Sequence, residues 1–519
     1  MSLPEDGEIP VLIAGGGLVG LSAAMFLAQH GIASLAVERM TGVSPLPRAG
    51  HFHLRTWELF RAAGIEDQVW EQSEREFLPD GAIVAMDTLA GRKLADIIPS
   101  LNEGVEAVSP CRRGFIGQPG LEPILRARAE QAGARVLWGH EIVAIAQDSD
   151  GVSVTARDVA TGSEKTLRAK YLIAADGGRS TVRRLLDIPL DGRGVFSNSV
   201  TIYFTADLWP HLGGKPLSVV YVNNKTCSGF FRLEKHCQSG FFGINLVGDP
   251  KTNPDAANAA SDVSEARMIE LVRAGAGRPD LPVKIDGIAR WRATSDVARK
   301  FSDGRIFLVG DSAHLMPPNG GFGGNTGIHD AHNLAWKLAL VLKGRAGLAL
   351  LDSYDAERRP VCKFTVEQAY SRYVTRTATY LGATDFEPVV DDFHIEIGFL
   401  YGQDALHADP HLTHGMPGSR APHLWIKHRG ERISTIDLFG GGFVLLTGPK
   451  GGMWREAARG LPVEVHTISA PGFLEAYGFD IEGASLVRPD GFVAWRSSIS
   501  LPDPRAALTA ALHEFHLTG

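Results

Sequence analysis

The stretch that decides the fold is Val11 to Ile32, VLIAGGGLVGLSAAMFLAQHGI. Val11-Leu12-Ile13-Ala14 is a short continuous apolar run, the pattern of a strand buried on both faces. Gly15, Gly17 and Gly20 follow at G-x-G-x-x-G spacing, Leu21 to His30 reads as a helix, and Gly31 stops it. Ser34 to Val37 is a second strand, ending in Glu38 with Arg39 beside it. Strand, glycine turn, helix, strand and terminal acid together make the dinucleotide fingerprint. Gly15 makes the tight turn, Gly17 lets the backbone approach a pyrophosphate, and Gly20 lets helix and strand pack closely. The helix start offers free N–H groups and the positive end of a dipole. A carboxylate at Glu38 accepts from ribose hydroxyls and repels a 2′-phosphate, so this turn suits FAD or NAD rather than NADP. The apolar run is not read as a leader, because MSLPEDGEIP before it is acidic and no small-residue cleavage site follows cleanly.

The rest of the composition narrows the class. Lys and Arg number 52 against 59 Asp and Glu, a net charge of −7, which argues against a nucleic-acid partner. At about 150 residues per domain, 519 residues suggest about three domains. Cys111, Cys227, Cys237 and Cys362 form no C-x-x-C pair and no zinc spacing. They read as reduced thiols of a cytoplasmic protein, with neither a metal nor a membrane partner expected and the oligomeric state left open.

Residues 80–110 and 186–300 have a different texture. Val200 to Ala206, Leu217 to Asn223, Gly229 to Glu234 and Gly240 to Leu246 are short β-rich runs separated by turns, as in a mainly antiparallel sheet. This divides the chain into a Rossmann-like α/β domain (1–79, 111–185 and 301–380), an inserted sheet domain (80–110 and 186–300) and a C-terminal domain (400–519). Gly275-Ala276-Gly277 follows a helix and precedes Pro279, so it is rejected as a second phosphate turn.

FAD is favoured over NAD by a region far along the chain. Arg305 to Val309 reads as a strand ending in Gly310-Asp311, followed by Ser312-Ala313-His314, Pro317-Pro318 and the run Gly320-Gly321-Phe322-Gly323-Gly324-Asn325, which opens a long helix. A short carboxylate at a strand end can hold a sugar-like hydroxyl. A glycine-rich helix start gives backbone N–H groups to an anion such as reduced isoalloxazine. A third motif, Ala175 to Arg183, places Asp176 at a strand end with Arg179 and Arg183 behind it. A flavin contact and a structural turn with a salt bridge are both open there.

These three motifs, in this order, resemble the class A FAD-dependent aromatic monooxygenases, the family of para-hydroxybenzoate and phenol hydroxylases, over nearly the whole chain. Pro47-Arg48-Ala49, Gln118 with Leu121-Glu122-Pro123, and Gly483 to Gly491 (GASLVRPDG) look most like the aromatic polyketide hydroxylases, such as the aklavinone hydroxylases. The resemblance implies that Val19 lies in the phosphate turn, Glu38 holds the ribose, and Arg48, Ala49, Gly50, His51 and Gln118 line the flavin and pyrophosphate. It also implies that Asp311 meets the ribityl–pyrophosphate side, Gly321 to Asn325 meet the pyrimidine edge, and Pro318 lies near the flavin C4a. The implied cycle consumes NADPH or NADH and O2 and hydroxylates a phenol or quinone through a flavin C4a-hydroperoxide. Departures from the family pattern fall at Asn319, Phe322, Gly324 and His329, with Phe322 and Gly324 altering the wall near the flavin. The C-terminal domain resembles a thioredoxin-like fold, but no cysteine follows Cys362, so thiol redox chemistry is excluded there.

No motif identifies a proton acceptor. His314 is expected to orient the turn after Asp311. Tyr373 and Arg376 lie on a helix beyond the flavin loop, where Arg376 could hold a phenolate. Phe230, Phe231, Phe241 and Phe242, with the resemblance, point to a fused polycyclic aromatic substrate of polyketide type. A flavin halogenase is set aside because its W-x-W-x-I-P segment is absent. An antibiotic-modifying monooxygenase or oxidase and a non-enzymatic flavin sensor stay as alternatives.

Overall fold

The computed structural model describes residues 9–45, 50–79, 81–212, 217–253 and 255–517. Its first sheet is parallel in the order Ile306–Leu308, Glu164–Ala174, Ile9–Ala14, Ser34–Glu38, Arg135–Trp138. Val11, Leu12 and Ile13 are fully buried, as a strand covered on both faces requires. The helix Leu18–Gln29 packs between this sheet and the long helix Phe322–Leu342. The three sequence motifs follow three neighbouring strands of one sheet. They therefore converge at its C-terminal edge, where open α/β sheets bind ligands.

The second sheet runs His314–Leu315, Lys284–Ala298, Leu190–Thr205, Ser239–Val247, Cys227–Leu233, Leu217–Asn223, Ala82–Met86, Lys93–Ile98. It is antiparallel except for the Leu217–Asn223 and Ala82–Met86 pair. Its far face is covered by the helix Glu265–Ala276. Strand alternation splits the four phenylalanines. Phe231 and Phe242 stack at 3.9 Å beneath Gly275 in that core, while Phe230 and Phe241 point to the opposite face. Two of the four, Phe230 and Phe241, thus face the nucleotide-binding domain, and the other two are core residues of the sheet. Gly277, with φ +71°, merely ends its helix.

A second long helix, Asp352–Arg372, crosses behind the first and widens into a π turn at Tyr373–Thr377. The C-terminal sheet, Val463–Thr467, Phe443–Thr447, Ala484–Val487, Val493–Ser497, carries the helices Gly452–Ala457, Phe473–Tyr477 and Pro504–His513. Among the described residues no helix is long and apolar enough to cross a membrane.

Candidate active site

The glycine turn is built as the sequence requires. Gly15 has φ +100°, and a Cβ there would lie 2.4 Å from the Ala175 carbonyl oxygen. A Cβ on Gly20 would lie 2.1 Å from the Gly15 oxygen. Gly17 differs: a Cβ would meet nothing nearer than the Glu122 Oε1 at 3.7 Å, so the space over this helix start is an open cradle. The Glu38 carboxylate is held at its strand end by the Gly16 N–H at 2.7 Å and the Met40 N–H at 2.8 Å. Arg39 is exposed beside it. Val19 wedges into the notch that Gly310 and Gly327 leave, tying the first turn to the Gly-Asp turn.

Gln118 donates to Glu122 at 2.5 Å, and the other Glu122 oxygen accepts the Ser44 N–H at 3.0 Å. Burial raises the Glu122 pKa against these hydrogen bonds. No spacing rule marks this buried acid beside the phosphate cradle; in the sequence only the family resemblance points to it. Arg48 and Ala49 lie outside the described residues. Gly50 is covered by the buried Arg232, which donates to its carbonyl at 3.1 Å and stacks over Phe77 at 4.0 Å. Burial brings that guanidinium down to about 10. His51 stacks on Phe115 at 4.9 Å. Burial, with His53, Arg113 and Arg232 nearby, keeps the imidazole neutral.

Asn325 closes the flavin loop. Its Nδ2 donates to the His51 and Gly321 carbonyls at 2.9 and 2.8 Å, and its Oδ1 accepts from the His53 N–H at 2.9 Å and Thr56 hydroxyl at 2.7 Å. His53 Nε2 donates to the Gly320 carbonyl at 2.8 Å. Gly320 and Gly321 have φ +88° and +73°, which lets the loop double back into the helix N-terminus at Phe322. Gly323 and Gly324 continue that first helical turn. Phe322, expected to alter the wall near the flavin, packs directly under Gly320 and edge-on to the His53 ring at 5.1 Å. Its ring is buried against Ala369 and Ile395 with Arg372 over it at 5.2 Å.

Of the two readings open at Asp176, the structure displays the structural turn. The Asp176 oxygens accept from the Ser180 hydroxyl at 2.5 Å and the Val182 N–H at 3.0 Å, so the side chain holds its own turn. Arg183 reaches the Ser312 carbonyl at 2.7 Å, joining this turn to the Gly-Asp turn. Asp311 and Pro318 are exposed at the site. Tyr373 is fully buried against Phe196, its hydroxyl near Ser197, Ser199 and Tyr380, so it packs the π turn. In the same turn Thr377 accepts from Asn319 Nδ2 at 2.6 Å, which fixes the turn to the flavin loop, while Arg376 is exposed and faces Tyr221 and Asp392.

Beneath the Gly-Asp turn lies a charged cluster that the motif reading missed. Asp330 accepts from Gly310 N–H at 3.0 Å, His314 at 2.7 Å and Arg358 Nε at 2.8 Å, all fully or nearly fully buried. His314 thus orients the turn through Asp330. His314, Asp330 and Cys362 are close enough to hold a metal ion. Arg358 already supplies the cation at Asp330, so the cluster is read as an internal ion network. The available signal was a charge pattern, Asp330 and Lys337 as the Asp/Glu/Lys/Arg residues of a largely buried helix.

The open cradle at Gly17, the ordered carboxylate at Glu38 and the doubled-back loop at Gly320–Asn325 fit FAD. Residues 8–369 match the FAD binding domain family, and residues 414–516 match the C-terminal domain of aromatic-ring hydroxylases. The chain belongs to the FAD-binding aromatic-ring hydroxylases. Among hydroxylase relatives, it is 47% identical to the 4-methyl-5-nitrocatechol 5-monooxygenase of a Burkholderia species, over 99% of this chain and 98% of the relative. It is 35% identical to the aklavinone 12-hydroxylase of Streptomyces purpurascens, over 98% and 99%. The structure of aklavinone-11 hydroxylase with FAD and aklavinone superposes with a TM-score of 0.92 at 33% identity, covering 99% of both chains. This hydroxylase is therefore an FAD-dependent monooxygenase. Asp311→Ala is expected to lower its FAD occupancy sharply; an unchanged flavin-to-protein absorbance ratio would remove Asp311 from the cofactor ligands.

Proposed function

We propose that this hydroxylase uses NAD(P)H and O2 to hydroxylate an acidic phenol of the catechol or nitrophenol type, held as its anion at Arg376. The single observation that carries the reading is Arg376. It is an exposed guanidinium that makes no hydrogen bond or salt bridge among the described residues, on a turn fixed to the flavin loop through Asn319 and Thr377. Its neighbour Arg372 is already committed to Asp392 at 2.6 Å and to Gln368 at 2.8 Å. Bound FAD supplies the electrons and the activated oxygen. The protein's part is to orient the ring, favour its phenolate and exclude water. Tyr221 stands opposite Arg376. Burial raises its pKa and Arg376 lowers it, so at neutral pH it is a neutral hydroxyl able to donate to the phenolate oxygen. The 47% identity to a nitrocatechol monooxygenase supports an acidic single ring.

A second reading, the fused polycyclic substrate expected from the sequence, is favoured by the close structural likeness to the aklavinone complex and by Phe230 and Phe241 on the site-facing side. Both readings are tested by NAD(P)H and oxygen consumption across catechols, nitrophenols, simple phenols and tri- and tetracyclic quinones, with product mass for one added oxygen. Coupled turnover of the single rings is expected; turnover confined to polycycles would replace the first reading with the second. Arg376→Ala is expected to lower kcat/KM about 100-fold, with partial recovery in Arg376→Lys. An unchanged kcat/KM would remove Arg376 from the site.

A further inference from the structure

The C-terminal domain meets the FAD-binding domain through buried charges. Arg488 donates to Glu357 at 2.7 and 2.9 Å and to Asp490 at 2.6 Å, and Glu357 also accepts from Lys337 at 2.8 Å. Arg488 is 4% exposed, Asp490 2% and Lys337 0%. Water does not screen this junction as it would a surface pair. Its ties also lead directly to the flavin site. Glu357 and Arg358 are neighbours on one helix. Glu357 takes Arg488, while Arg358 holds Asp330, which in turn holds the Gly310 N–H just before Asp311. Arg55 and Thr56 are neighbours on the helix Leu54–Ala62. Arg55 donates to the Asp490 carbonyl, while Thr56 donates to Asn325, the residue that closes the flavin loop. Adjacent helical residues cannot move independently, so a shift of the Arg488–Asp490 turn moves both the Gly-Asp turn and the flavin loop. A third tie runs from Arg358 Nη1 to the Tyr401 hydroxyl at 3.0 Å; the Tyr401 ring packs on Phe492 of the C-terminal domain at 4.4 Å.

We infer that the Arg488–Asp490 turn is a positioning element for the flavin site, so that the C-terminal domain sets how tightly FAD is held. This goes beyond the proposed substrate and does not depend on it. The test is Arg488→Met in the full chain, which keeps an unbranched apolar stem but removes charge and donors. FAD affinity is read from released-flavin fluorescence at a temperature where circular dichroism shows a native fold. The FAD Kd is expected to rise about tenfold and to recover in part in Arg488→Lys. A lowered Tm with a wild-type FAD Kd would overturn the inference, since it would leave the domain as simple stabilising mass. If Arg488→Met does not fold, Tyr401→Phe decides, because it removes only the hydroxyl that ties Arg358. A raised FAD Kd supports positioning and an unchanged one rejects it.

Discussion

Gly15→Ala is expected to abolish FAD binding and to destabilise the apoprotein as well, whereas Gly17→Ala is expected to lose FAD with apoprotein stability unchanged. The two glycines differ in what surrounds them. Gly15 has φ +100°, a conformation costing an L-residue about 1–2 kcal/mol, and its new Cβ would lie 2.4 Å from the Ala175 carbonyl oxygen. Only backbone movement can relieve that overlap. The backbone concerned joins two central strands, because Ala14 pairs with Ala174 and Ala175 donates to the Ala14 carbonyl at 2.8 Å. At Gly17 the Cβ fits without strain but fills the cradle where a pyrophosphate approaches the helix start. Thermal melts of both apoproteins, with flavin titrations, check the contrast. Wild-type FAD affinity in Gly17→Ala would show that the cofactor does not use this turn.

Asp330→Ala is expected to destabilise the protein by about 3–5 kcal/mol, because it strands two buried cations, Arg358 and protonated His314. The same cluster gives stability a pH signature. Burial acts to lower the His314 pKa, but Cys362 and Asp330 together raise it from 6.5 to about 10. Asp330 is the anion responsible, since burial raises the Cys362 thiol and keeps it neutral. A raised histidine pKa contributes stability that is complete below 6.5 and is lost as pH rises toward about 10. Asp330 is the opposite case. Burial opposes its charge, yet Arg358 and His314 hold it below the ordinary 3.8, so its contribution is present above 3.8 and fades in acid. Urea unfolding from pH 6 to 10 should therefore show a decline in the wild type that is weaker in His314→Gln. An identical slope in the two proteins would mean that His314 is neutral in the fold.

The nucleotide-binding half was legible in the sequence because its constraints are local. A G-x-G-x-x-G turn between an apolar strand and a helix can satisfy its backbone in few other ways, and Gly15, Gly17, Gly20 and Glu38 stand within one βαβ unit. The flavin loop was legible for a similar reason, as a glycine run opening a long helix. The sheet domain was legible as an element type but not in its facing. Whether Phe230 or Phe231 meets the site depends on strand register, and a one-residue slip exchanges the faces. Tertiary structure alone decided the roles that need partners from distant segments. Which reading of Asp176 applies depends on Ser180 and Val182, which bond its two oxygens, and Tyr373 is buried by Phe196, a residue far away in sequence. Asp330, Glu357, Arg358 and Arg488 form no motif in one dimension, because they come from three separate stretches of chain. They are drawn together because a buried charge requires a buried partner.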